Sequence, residues 1–324
     1  MRTRTLGRTG LEVSEIGFGA WGIGGKQWMN GSDEESLQAL RRAIELGINL
    51  IDTAFAYNEG HSERLIAQIV AETKAPVFVA TKIPPKNRVW PARKGTPIDA
   101  VFPYEYIVDM TEQSLRNLNT DCIDLQQFHV WNPEWLGDDA WRRGIEDLKK
   151  AGKVRHFGIS INDHQPDSAL DIIATGLIDT VQVIYNIYEQ SPQVSLFGAC
   201  KEHNIGILAR VPLDEGALTG SIAVDTVFEP GEFRDFYFRG DRKAQVVKAY
   251  DALARDLAGA GAGEPVATTA LRFTLANDAV STVIPGMRRV KNVEANAAVP
   301  SMGPLTAETL AILKRHAWSK NFYQ

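Results

Sequence analysis

Eight times along its 324 residues the chain repeats one unit: an apolar, largely β-branched run, a polar loop and an amphipathic run. The apolar runs are predicted as strands at 13–20, 48–52, 77–81, 122–128, 154–160, 179–185, 205–211 and 281–285. The amphipathic runs are predicted as helices at 32–47, near 61–71, near 105–119, at 138–153, near 166–175, near 193–204, near 243–258, near 265–277 and near 290–298. In the first of these Ser32 and Glu35 match a capping box, Leu37, Leu40 and Ile44 share a face, and Gly47 suits the end. In the fourth, Trp141, Ile145 and Leu148 share a face and Gly152 ends the helix. Strict alternation with short connections implies a parallel sheet, and eight repeats imply closure into a barrel. The expected fold is therefore α/β, a (β/α)8 TIM barrel forming one domain over 1–324. The stretch GAGAGE (259–264) lies inside the last unit and is expected to be a flexible turn.

Composition narrows the function. The hydrophobic fraction is 44%, the charged fraction 23% and the formal net charge −5, all ordinary for a soluble globular chain. No basic excess points to nucleic acid, and the acidic balance disfavours an anionic membrane surface. MRTRTLGRTG has no apolar core of a signal peptide, and no stretch reaches the length of a membrane span, so a cytoplasmic protein is expected. The two cysteines, Cys122 and Cys200, are expected to be reduced thiols. The histidines are dispersed, with no HExxH or CxxC spacing, so no metal site is expected.

Two long segments break the regularity, 83–105 after the third strand and 212–242 after the seventh. Both fall at the carboxyl ends of strands, where lids and binding loops sit. Gly17, Gly19 and Gly22 satisfy G-x-G-x-x-G, but GIGGKQWMNGS (22–32) separates them from the next helix. A Rossmann phosphate loop must run straight into its helix, so the motif is rejected. The glycines are expected instead to let backbone approach a ligand at the end of the first strand.

Four polar residues stand where the chain leaves successive buried strands: Asp52, Tyr57, Lys82 and His129. Each alone fits a structural role: an ion pair, a packed ring, a satisfied imidazole. Together at one rim they form a proton-transfer set. A phenol ionises near pH 10, and an adjacent ammonium is expected to lower that value. Asp52 would hold Lys82 charged, and His129 would add a donor beside the phenol. Such a set suits protonation of a carbonyl oxygen, and reduction then needs a hydride source. Neither cysteine, nor any serine triad, offers a nucleophile at this rim.

These segments, with GFGAWGIGG, NLIDTAFAYNEGHSERLIA, VFVATKI, IDLQQFHV, GKVRHFGIS, VQVIYN, VPLDEGALTG and VIPGMRRVKNVEAN in that order, resemble the aldo-keto reductase superfamily over nearly the whole chain. The resemblance implies an N-terminal β-hairpin at the barrel bottom, which 2–14 fits, and reversible NADPH/NADP+-dependent carbonyl reduction, with NADH as the alternative cofactor. It implies Tyr57 as general acid, Lys82 and Asp52 as its tuners and His129 as the group orienting the carbonyl. It puts Ser160 and Gln182 at the nicotinamide carboxamide. Arg210 falls under the nicotinamide ring, Pro212, Leu213, Gly216, Leu218 and Gly220 on the pyrophosphate-wrapping loop, and Gly286, Met287, Arg288, Asn292 and Asn296 at the adenosine end. The 290–298 helix would turn its N-terminus to a 2′-phosphate. Trp21, with Trp90 and Trp131, is expected to shape a pocket for a small carbonyl or alcohol substrate. The chain departs from the family pattern with Ile161 in place of Asn, Arg210 in place of an aromatic, and Gly286 in place of Lys, which leaves Arg288 as the phosphate ligand. An NAD-dependent sugar dehydrogenase and a channel β-subunit-like binding protein are the alternatives within the superfamily.

Overall fold

The computed structural model describes residues 1–25, 27–28, 31–261 and 263–324. Lys26, Met29 and Asn30, in the 22–32 segment, and Ala262, in the expected 259–264 turn, lie outside the described residues.

A two-stranded hairpin comes first, β1 (Thr3–Thr5) against β2 (Glu12–Ser14), antiparallel with Thr3 opposite Ser14. Eight parallel strands follow: β3 (Phe18–Gly19), β4 (Leu50–Asp52), β5 (Phe78–Ile83), β6 (Ile123–Trp131), β7 (Val154–Ile161), β8 (Thr180–Ile184), β9 (Gly206–Arg210) and β10 (Thr282–Val283). Each pairs with its sequence neighbours. Parallel bridges Ile16–Val283 and Gly19–Gly286 join the first strand region to the last and close the ring. The (β/α)8 barrel is thus present, with outer helices α1 (Asp33–Glu45), α2 (His61–Glu72), α3 (Tyr104–Leu118), α4 (Ala140–Lys150), α5 (Leu170–Thr175), α6 (Leu196–Glu202), α7 (Phe233–Tyr237), α8 (Arg242–Gly259), α9 (Val266–Ala276), α10 (Val290–Ala298) and α11 (Ala307–Arg315). The capping box of α1 is formed, with Ser32 accepting from the Glu35 N–H. Among the described residues no helix is long and apolar enough to cross a membrane.

Strand alternation separates two cores. Residues such as Ile51, Val79, Phe128, Ile159, Val181 and Ile207 face outward and pack under the helices. Leu50, Ala80, Leu125, Leu208 and Ile284 face inward and form an apolar floor with Leu6 and Val13 of the hairpin. The hairpin therefore plugs the amino-terminal end. Two residues further along the inward face, the floor gives way to Asp52, Lys82, Gln127, Gln182 and Arg210. Period two alone puts these polar groups in one upper layer.

The structure refines the sequence expectations in three places. The first strand is much shorter than 13–20, because Glu12–Ser14 belongs to the hairpin. The 212–242 segment carries structure of its own, a 3-10 turn at Asp214–Thr219 and α7. Gly19 serves closure of the barrel. A Cβ there would lie 2.6 Å from the Ile284 carbonyl oxygen and 2.9 Å from that of Pro285.

Backbone cannot swing aside as a side chain can, so Gly19→Ala should splay the β3–β10 closure. We expect a loss of about 1–3 kcal/mol in urea unfolding, against no loss for Gly137→Ala, where a Cβ meets nothing within 4 Å. Equal midpoints for the two variants would show that the closure is compliant.

Candidate active site

Lys82 sits at the end of β5 and is fully buried. Its Nζ donates to Asp52 Oδ2 at 2.7 Å, to the Thr53 carbonyl at 2.7 Å and to the Tyr57 hydroxyl at 3.5 Å. Asp52 comes from the adjacent strand, and its other oxygen accepts from Gln182 Nε2 at 2.7 Å across the barrel. Tyr57 lies on the turn after β4, with its amide bonded to the Ala54 carbonyl. His129 meets its ring edge-on, with centroids 6.3 Å apart at 90°. The four residues singled out at strand ends are thus one constellation.

Burial works to lower the Lys82 pKa, but Asp52 and Tyr57 outweigh it and the ammonium is held above its ordinary value. For Tyr57 the expectation of a lowered phenol is corrected. Burial, the larger effect, raises it, while Lys82 pulls it down and Asp52 adds to the rise. The phenol therefore keeps its proton at neutral pH, and the ammonium beside it is placed to receive the phenolate charge once that proton leaves. His129 is pushed well below its usual range by burial and by the charges of Lys82 and Arg210, so its imidazole is neutral.

Two indoles flank this centre. Trp21 stacks over Tyr57 at 6.2 Å, and Trp90 donates from Nε1 to the His129 carbonyl at 2.9 Å. Phe233, from the 212–242 segment, packs on Trp21 at 4.8 Å, with its amide bonded to the Gln27 carbonyl. The sequence reading missed Phe233, although the aromatic run FRDFYF marks it. Trp131 is corrected: it is fully buried under the helices against Trp135 and Trp141 and lines no pocket. Strict alternation would put it on the face of His129. A register shift after His129 pairs Trp131 with outward-facing Ile161 and turns it away.

Ser160 and Gln182 are register partners on β7 and β8, both nearly buried, beside His129 and Asp52. With its Nε2 committed to Asp52, Gln182 offers its amide oxygen as an acceptor, which fits a carboxamide donor. The Asn missing from position 161 stands at 162, buried, and bonds both the N–H and the carbonyl of Ala92. It ties down the 83–105 segment. Arg210 ends β9 and pairs with Asp163 at 2.7 Å. From Pro212 to Gly220 the chain turns through left-handed backbone at Asp214, Glu215, Gly216 and Gly220. Leu213 is half-buried and Leu218 fully buried, so Leu218 can present only its backbone.

At the far end Gly286 is exposed and Asn292 projects from the first turn of α10. Met287 and Asn296 are buried, with Asn296 Nδ2 3.9 Å from Met287 Sδ. Arg288 is half-buried and donates to the Trp28 carbonyl at 3.1 Å. Burial and the neighbouring Arg289 and Arg234 depress its pKa. Glu232 and Glu35 work the other way, and Arg234 is itself paired with Glu232.

The neutral His129 has a consequence for stability. Its folded pKa lies below the ordinary 6.5, so below that pH the unfolded chain binds a proton that the folded one refuses. Stability from this source is present above pH 6.5 and lost as pH falls, by up to about 1.4 kcal/mol per pH unit. His129→Asn should flatten the stability profile between pH 6.5 and 5 by that slope. Parallel wild-type and variant curves in denaturant titrations would show that His129 protonates freely in the folded protein.

Comparison with known proteins fits this geometry. The profile of the Aldo/keto reductase family matches residues 15–317. The aldo-keto reductase YhdN of Bacillus subtilis is 31% identical over 91% of this chain and 87% of its own length. The NADH-specific methylglyoxal reductase of Escherichia coli is 29% identical over 76% of this chain and 78% of its own. The glycerol dehydrogenase AKR11B4 from Gluconobacter oxydans superposes with a TM-score of 0.78 at 28% identity, covering 97% of this chain and 94% of that one. With a barrel mouth that joins a buried ammonium, a phenol and a neutral imidazole, the chain belongs to the Aldo/keto reductase family, oxidoreductases that act on carbonyl and alcohol groups with a nicotinamide cofactor.

Proposed function

We propose that the protein is an NADPH-preferring reductase of aldehydes or ketones, reversible toward the alcohol, with Tyr57 as its general acid. The observation that carries this reading is the Lys82 ammonium, fixed by Asp52 and Thr53 and 3.5 Å from the Tyr57 hydroxyl. Tyr57 passes its proton to the carbonyl oxygen of the substrate. Lys82 stabilises the phenolate left behind, and Asp52, itself held by Gln182, keeps Lys82 in place. His129, being neutral, gives the carbonyl oxygen a hydrogen bond without competing for the proton. The flanking Trp21 and Trp90 bound the substrate on two sides and exclude water from the reacting oxygen. Bound at this mouth, the nicotinamide supplies or accepts the hydride.

In this reading Ser160 and Gln182 would hold the carboxamide, Arg210 would face the ring, and the backbone of 212–220 would take the pyrophosphate. Gly286, Met287, Arg288, Asn292 and Asn296 would hold the adenosine end. The preference for NADPH rests on the half-buried Arg288 guanidinium, next to Arg289 at the start of α10, as the ligand of a 2′-phosphate.

Tyr57→Phe keeps the ring and removes the proton. Reduction of a carbonyl panel that includes methylglyoxal should fall by roughly 10² to 10⁴, with cofactor affinity barely changed. Near-normal turnover in Tyr57→Phe would remove Tyr57 as the acid. Arg288→Ala removes a charge-assisted contact of about 1.5–3 kcal/mol. It should weaken NADPH binding by roughly 10- to 150-fold and leave NADH binding nearly unaltered. Equal losses for both cofactors in fluorescence titrations would show that Arg288 braces the loop at Trp28 and does not read the phosphate.

A further inference from the structure

A second cluster of charges adjoins the proposed nicotinamide position. Arg210 Nη2 donates to Asp163 Oδ1 at 2.7 Å and to the Ile161 carbonyl at 3.1 Å, while its Nε is buried without a protein partner. Beyond it Glu215, 8% exposed and held in left-handed backbone at φ 56°, accepts from the Tyr323 hydroxyl at 2.7 Å. Alongside the larger effects of burial and Lys82, the Arg210 charge works downward on both Tyr57 and His129. Arg210 therefore faces the reacting centre electrostatically, although its ion pair points away toward Asp163.

Taking the proposed function as given, we propose that the Arg210–Asp163–Glu215 cluster is the specificity-determining element for the redox form of the cofactor. The two forms differ at the nicotinamide ring by one positive charge. A lone buried guanidinium along that ring would repel the oxidised form. Asp163 cancels the guanidinium charge, so both forms are admitted, and the ionisation of Glu215 tips the balance to net negative. The orphaned Nε gives Arg210 a donor still to satisfy at the ligand.

The charge on Glu215 is adjustable. Burial pushes its pKa up to about 7; the Tyr323 hydroxyl lowers it, Asp214 raises it, Arg210 lowers it and Asp163 raises it. These groups come from the Pro212–Gly220 turn, β9, the exit of β7 and the C-terminal segment. Asp214 is itself neutralised by Lys320 at 2.8 Å and bonded by Tyr237. His164 pairs with Glu189 and packs on the Tyr323 ring, not on Glu215. As pH rises through about 7, Glu215 gains its negative charge and the oxidised cofactor gains relative to the reduced one. Ionisation of a 2′-phosphate is common to both forms and cancels in their ratio.

The test is the ratio of the NADP+ and NADPH dissociation constants, measured by calorimetry on the full chain from pH 6 to 8.5. In wild type the ratio should fall as pH rises, and Glu215→Gln should remove that dependence. Asp163→Asn should raise the ratio by roughly tenfold or more, the effect of one unit charge at about 10 Å in a medium of effective dielectric about 20. Arg210→Gln should lower it by a similar factor, and serves if Asp163→Asn does not fold. Ratios that stay within twofold of wild type in both charge variants, with both cofactors still bound, overturn the inference alone. Failure of wild type to bind either cofactor overturns the proposed function and this inference with it.

Discussion

An ammonium removed from water must be answered by fixed negative charge and acceptors, and the Lys82 ammonium is enclosed at the top of the barrel. The cost of leaving such a group unpaired is several kcal/mol. It is met by a carboxylate from the neighbouring strand, a carbonyl one residue further and a phenol on the following turn. Those three acceptors converge only if β4 and β5 hold their register, with Asp52 opposite Ala80 and Lys82 one pleat higher. Asp52 in turn needs Gln182, which comes from β8 on another side of the ring. One charge thus ties together strands that are distant in sequence, and closure of the barrel is a condition for its being there at all.

The same inward face carries both stability and chemistry because of its layering. Its lower positions, Leu50, Ala80, Leu125, Leu208 and Ile284, make a dry floor that the hairpin seals with Leu6 and Val13. A sealed floor keeps water from reaching the polar layer from below and lowers the local dielectric around it. In that medium burial dominates the titration of Tyr57 and His129, and each stays in its neutral form near pH 7. Beside them Lys82 stays charged, because it has a buried counter-ion, Asp52, in direct contact. An uncharged donor pair beside a fixed cation is what protonation of a carbonyl oxygen calls for.

Most of this was legible locally. Alternation, strand ends and helix caps are properties of short windows, so the eight units and the set of Asp52, Tyr57, Lys82 and His129 could be read from them. What escaped the reading was non-local or depended on a single irregularity. That Gly19 is needed for closure shows only when Ile284 and Pro285, some 265 residues later, are seen to press on it. Trp131 obeys the alternation of its strand until the register shift after His129 turns it outward. The sign of the Tyr57 shift depends on how much of the ring is covered, and sequence tells which charges are near but not how much solvent is lost. The Arg210–Asp163 and Tyr323–Glu215 pairs draw on four segments with no shared motif.

The rim shows why selectivity is harder to read than chemistry. The 83–105 segment is held by Asn162 at Ala92, by Asn132 at the Arg93 carbonyl and by Trp135 at the Thr96 carbonyl. Its supports therefore belong to the two following units. The 212–242 segment is held against the first unit, through Phe233 on Trp21 and Arg234 over the Trp28 ring at 4.9 Å. Each loop is thus anchored by residues that the strand-and-helix pattern assigns to other tasks. A substitution at Asn162 would move the 83–105 segment while Lys82 and Asp52 stayed as they were. The polar layer is set by the short inward face of the strands, and the rim loops by these long-range ties.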